Sequence, residues 1–105
     1  MLSINERSRL YFREIRLRNA VNQDQAPATL RYRVDCESTR LAIIDWTELA
    51  PSAVFDLLIP ASANAIQNRS NDAELKTITV QCDEGTDNEI NVPYTWRVKN
   101  LFGVS

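Results

Sequence analysis

Short segments of alternating apolar and polar residues punctuate the chain. In LRYRVDCE, residues 30–37, Leu30, Tyr32, Val34 and Cys36 share one parity, and Arg31, Arg33, Asp35 and Glu37 share the other. A strand with this period buries one face and shows the other to water. LKTITVQCDE repeats the pattern, with Ile78, Val80 and Cys82 facing in and Thr77, Thr79 and Gln81 facing out. EINVPYTWRVKNL does so again, with Ile90, Val92, Tyr94, Trp96 and Val98 in and Asn91, Thr95, Arg97 and Lys99 out. VFDLLIP puts Phe55, Leu57 and Ile59 on one face and closes at Pro60, while RLAIIDW is a shorter apolar strand before the turn signals Pro51 and Ser52.

Two irregularities carry information. In RLYFREIRL, Leu10 and Phe12 lie on one parity and Ile15 and Leu17 on the other. One extra residue in a strand causes such a slip, so a β-bulge is expected near Arg13–Glu14. Pro93 interrupts the last strand, and proline has no N–H to donate to a ladder; that strand must be at an edge or bulged there. Between strands, NAVNQDQAPA reads as a loop and EGTDNE as a turn using Gly85. ASANAIQNRSN offers one helical turn with Ile66 tucked inward, too short to be a stable helix alone.

Short strands separated by turns, with no crossover helices, predict an all-β fold. The reading is a single-domain antiparallel β-sandwich of about seven strands, immunoglobulin-like, with a small barrel or jelly roll as the alternative. Residues 1–105 are read as one domain with an ordered core from about 5 to 102. The core is expected to hold Tyr32, Val34, Phe55, Leu57, Ile78, Val80, Tyr94, Trp96 and Val98, with Trp46 also read as a core aromatic. A hydrophobic share of 44% and a charged share of 25% are ordinary for a globular chain.

Net charge is −2, which argues against a chain built to coat nucleic acid. The charge is uneven: residues 1–40 carry a balance of +3 and residues 41–105 a balance of −5. The fold either keeps these as a basic and an acidic side, or mixes them by strand pairing. No segment reaches the roughly 20 apolar residues of a membrane-spanning helix, and the N-terminus lacks a secretory pattern. Synthesis in a cytosol is the default expectation, and Cys36 and Cys82 are then read as two buried free thiols.

Catalytic chemistry is not legible. There is no histidine, and with two glycines a Gly-rich phosphate loop cannot be built. Two distant cysteines make no zinc motif. Asp83, Glu84, Asp87 and Glu89 are oxygen ligands close in sequence but lack EF-hand spacing, so a calcium site is a minor alternative to an exposed acidic turn. Asp45 beside Trp46 could serve a sugar. The reading is no catalytic residue, no cofactor and no metal.

Three stretches together resemble a known group: LRYRVDCESTRLAIIDWTELAP, LLIPASANAIQNRSNDAELKTITV and YTWRVKNLFGVS. They are similar to small single-domain structural proteins encoded among the virion genes of tailed bacteriophages, over about Asn5 to Val104. The resemblance implies an immunoglobulin-like fold and a particle component: capsid decoration, head–tail junction or tail. It implies other virion proteins as partners, self-association within a symmetric particle, and location in the virion after synthesis in a bacterial host. It transfers no site residues. In such a fold the strands at 29–37, 75–84 and 89–101 are neighbours, and Arg31, Arg33, Thr79, Arg97 and Lys99 form an expected docking face, a solvated face being the plain alternative. A carbohydrate- or receptor-binding module is the competing function, and it would need exposed aromatics.

Overall fold

A computed structural model describes residues 1–19 and 21–101. Ala20, within the expected 19–28 loop, and the end of the expected core at residue 102 lie outside the described residues. Among the described residues, seven strands form two sheets: β1 (Ser3–Asn5), β2 (Leu10–Arg16), β3 (Leu30–Cys36), β4 (Leu41–Leu49), β5 (Val54–Ile59), β6 (Ala73–Cys82) and β7 (Ile90–Lys99). Five make one sheet in the order β1-β7-β6-β3-β4, and two make the other, β2-β5. Only β1 runs parallel to its neighbour, β7; the other pairs are antiparallel. The expected all-β sandwich is therefore the fold.

The core lies where the sheets face each other. Ile15, Leu57 and Ile59 of the small sheet pack with Leu30, Val34, Ile78, Val80, Trp96 and Val98 of the large one. Phe12 of β2 sits with its ring centroid 5.8 Å from Tyr94 and 5.7 Å from Trp96, so β2 lies over β7. Most of the expected core is buried. Tyr32 and Phe55 are only half-buried, and Tyr94 is a correction at 38% exposed. Two strands cannot roof five, and the outlying inward positions stay partly wet.

The bulge falls where the phase slip predicted it. The β2–β5 register shifts between Phe12 and Ile15, Glu14 takes a positive φ of 54°, and its N–H donates to Asp56 Oδ1 at 2.7 Å. β7 is an edge at Pro93, because β1 pairs only with Arg97–Lys99. A 3₁₀ turn covers Ala61–Asn64 and Ile66 is buried, also as expected. β1 was not expected; three residues are too few to show a period. β4 is longer than the expected RLAIIDW segment, and its register against β3 shifts twice, between Tyr32 and Val34 and between Val34 and Asp35. Cys36 pairs across from Lys76 and Leu30 across from Cys82, so the thiols sit at opposite ends of one ladder, about 20 Å apart at 3.3 Å per residue. Both are buried and free.

Candidate docking face

The three central strands bring most of the expected residues onto one surface. Arg31 aligns with Gln81 and then Asn91; Arg33 aligns with Thr79 and then Pro93; Asp35 aligns with Thr77 and then Thr95. This is the outer face of the large sheet. Arg97 aligns with Leu75 and Lys99 with Ala73, further along β7 beside β1. Two strand spacings and four residues separate Arg97 from Arg33, on the order of 16 Å. The five residues therefore form two patches, with Arg31, Arg33 and Thr79 in one and Arg97 and Lys99 in the other.

Trp46 organises the first patch, which corrects its expected place in the core. The register shift in β4 sets three of its steps against two of β3 between Ile44 and Thr47, and both Asp45 and Trp46 end up opposite Arg33. The indole thus reaches the outer face. Arg31 Cζ lies 4.2 Å from the Trp46 ring centroid and Arg33 Cζ 5.5 Å. Arg31 Nε donates to Gln81 Oε1 at 2.6 Å, and its guanidinium forms a salt bridge with Glu84. Arg33 donates twice to Asp35, at 2.9 and 2.7 Å. The Asp35 hydrogen bonds raise the Arg33 pKa above its usual value against the opposing effect of burial.

The chain of contacts continues sideways. Gln81 Nε2 donates to Asn91 Oδ1 at 2.8 Å, and Asn91 Nδ2 donates to Glu89 Oε2 at 3.1 Å. Thr77 Oγ1 donates to Glu37 Oε1 at 2.6 Å and also contacts Thr95 Oγ1 at 2.9 Å. The arginines are thus set in fixed positions on an aromatic base, with acids at their flanks. Arg31–Glu84 joins the basic first part of the chain to the acidic second, Arg69–Glu6 joins a base of the second to an acid of the first, and Arg16, Arg18 and Arg33 pair within the first part. The periodicity of residues 30–37 revealed Arg31 and Arg33. It could not reveal Trp46, whose facing depends on the bulge, or Glu84, which comes from a turn.

A second constellation was not anticipated. At the opposite end of the β3–β6 ladder, Glu74 and Lys76 occupy inward positions with no exposed side-chain surface, Nζ to Oε1 at 3.3 Å. Glu74 also accepts the N–H groups of Gln67 at 2.7 Å and Asn68 at 2.9 Å, and Asn71 Nδ2 at 3.0 Å. Burial alone would raise the Glu74 pKa; these bonds and Lys76 outweigh it and hold the carboxyl below its usual range. Lys76 Nζ further donates to the Ala65 carbonyl at 2.9 Å. Beside them, buried Asn64 accepts from Trp96 Nε1 at 2.8 Å and donates to the Ser8 carbonyl at 2.8 Å. Every member is satisfied, and the cluster pins the 60–72 loop and the turn after β1 to the sandwich.

The acidic turn does not gather a metal site. Asp83 accepts the N–H of Ala28 at 2.6 Å and of Thr29 at 3.2 Å, Glu84 turns to Arg31, and Glu89 accepts the Gly85 N–H at 2.9 Å. No cluster of three metal-ligating side chains occurs among the described residues. A cavity of about 590 Å³ opens between the 16–27 loop and the β6–β7 turn, over Leu17, Ile90 and Val92. Its rim arginines, Arg16 and Arg18, already pair with Asp24 at 2.8 and 3.6 Å. Comparison with family models, curated proteins and solved structures finds no match.

Proposed function

We propose that this chain is a non-enzymatic structural module of a tailed-phage particle, docking in many copies through the outer face of its large sheet. The observation that carries the reading is the Trp46–Arg31–Arg33 platform. Tryptophan and arginine are the residues that most often anchor protein interfaces, and these are held in one geometry before any partner arrives. Arg97 and Lys99 have no acidic partner among the described residues and supply the cationic remainder of the face. The partner surface that fits is acidic and flat. The strand order also supports an immunoglobulin-like reading: β3, β6 and β7 sit as C, F and G do, with β4 as C′ and β2-β5 as B and E. The cysteine on strand B and the tryptophan on strand C of antibody domains have no counterpart here.

The half-exposed Trp46 favours one competing reading, a carbohydrate- or receptor-binding module. Its ring already carries two guanidiniums, which leaves less of it to stack on a sugar.

The test is composition. Particles purified from a host carrying the gene should contain the chain by mass spectrometry. A variant with Arg97→Glu and Lys99→Glu should fold and be present in fewer copies per particle. Absence of the chain from particles overturns the reading, and unchanged copy number removes Arg97 and Lys99 from the docking surface.

A further inference from the structure

The sandwich has four sheet edges, and three are blunted. β1 is three residues long, β4 shifts register twice, and β2 carries a bulge flanked by Arg9, Arg13 and Arg16. Short length, bulges and charge are the usual defences against strand pairing. β5, VFDLLI, has no bulge, and its one charge is Asp56.

Its hydrogen-bonding phase can be read. Leu17 N–H donates to the Ala53 carbonyl at 2.8 Å, which turns Ala53 toward β2. Alternation along the strand then turns Phe55, Leu57 and Ile59 toward β2 and Val54, Asp56 and Leu58 away from it. Val54 agrees: its carbonyl accepts from Ser52 Oγ at 2.7 Å, and its N–H donates back to that oxygen at 3.3 Å. Ser52 thus caps one end of the free edge. Pro60, the next outward position at the other end, has no N–H. Between them the N–H and C=O groups of Asp56 and Leu58 face outward without a partner strand.

We infer that β5 is an acceptor edge for one extended segment of a partner protein, added as a third strand of the small sheet. The partner's chemistry follows from the edge. Its backbone supplies bonds to Asp56 and Leu58, and its inward residues are apolar. An outward basic residue beside Asp56 adds its attraction to the bonds that the carboxylate already accepts from the Tyr11 hydroxyl and the Glu14 N–H, because opposite charges across strands attract. The inward residues meet a ledge: β2 lies over β7, so the β5 edge looks across β3 and β4, where Tyr32, Ile44 and Leu49 are only half-buried. The ledge also selects against a second copy. The large sheet extends beneath and beyond β5, so an identical sandwich brought edge to edge would run into β4. A lone strand fits, which is β-strand addition. This site is on the sheet opposite the proposed docking face and does not depend on it.

The probe is a six-residue peptide alternating valine and threonine with one central lysine, added at millimolar concentration to the full chain. Amide hydrogen exchange is followed by NMR. Without peptide, the Asp56 and Leu58 amides should exchange much faster than Leu57 and Ile59. With peptide at about ten times its Kd, both should slow roughly tenfold. Leu58→Pro removes one outward donor and no β2 bond, and it should abolish the slowing at Asp56. If that variant does not fold, the wild-type exchange pattern decides alone. The inference is overturned by no slowing at saturating peptide, by slowing at Tyr11 or along β4 instead, or by protection of Asp56 and Leu58 that grows with protein concentration alone.

Discussion

Trp96 and Trp46 have opposite fates in the same sheet. Trp96, on β7, is sealed in the core, where its ring packs on Phe12 and its N–H reaches Asn64. Trp46, on β4, lies on the outer surface under two guanidiniums. A buried indole needs an acceptor for its N–H, and Asn64 provides one. An indole at the surface can instead use its π face to hold cations. One tryptophan therefore fixes the fold, and the other fixes the geometry of charged groups that a partner could meet. The same split separates the ion pairs. Glu74–Lys76 is dry and fully bonded, while Arg33–Asp35 is half-exposed and open to screening.

The largest break in this comparison should come from Trp96→Ala, which removes a large core ring and strands Asn64. It should cost about 3–5 kcal/mol in urea unfolding. A loss below about 1 kcal/mol would place that ring outside the core.

Glu74→Ala should come next. It leaves the buried Lys76 ammonium without its counter-ion, holding only the Ala65 carbonyl, and removes the acceptor of Gln67, Asn68 and Asn71, a class of change that costs about 3–5 kcal/mol. Glu74 also sets a pH dependence. Its folded pKa is depressed, so its contribution is complete above the unfolded carboxylate value of about 4.3 and is lost as pH falls through the folded value. Glu74→Gln should flatten the acid limb of the stability–pH curve. An unchanged limb would assign acid sensitivity to other carboxylates.

Replacing Arg31 and Arg33 together with serine should cost about 1–2 kcal/mol, because each loses a cation–π contact and a charge-assisted hydrogen bond. A purely solvated pair would shift stability by less than about 0.5 kcal/mol. High salt should weaken the effect, since these groups are partly exposed. A double-mutant cycle with Trp46→Leu should give a coupling of about 0.5–1 kcal/mol, and additivity would dissolve the platform.

The smallest effect is spectroscopic. Trp46→Phe should remove the quencher-accessible fraction of the emission and leave the blue-shifted Trp96 component, with stability changed by about 1 kcal/mol or less. Emission that stays fully quenchable in that variant would reverse the assignment of the two rings.

Alternation in residues 30–37, 75–84 and 90–99 determined three strands and the outward position of Arg31, Arg33 and Thr79, while Ile90 and Tyr94, read as inward, are exposed at the open edge of β7. It did so because a two-residue period is local and leaves only two choices of face. The slip in RLYFREIRL and the proline at 93 were equally local, and both were legible. The facing of Trp46 was not, because the bulge in β4 between Ile44 and Thr47 resets its parity, and that bulge is settled by pairing with β3. The burial of Glu74 and Lys76 was not legible either: on charge alone both belong outside, and only the way the preceding 60–72 loop folds back on β6 supplies the donors and acceptors that let them stay in. The open edge of β5 likewise depends on which strands pair, and that is decided when the two sheets close on one another.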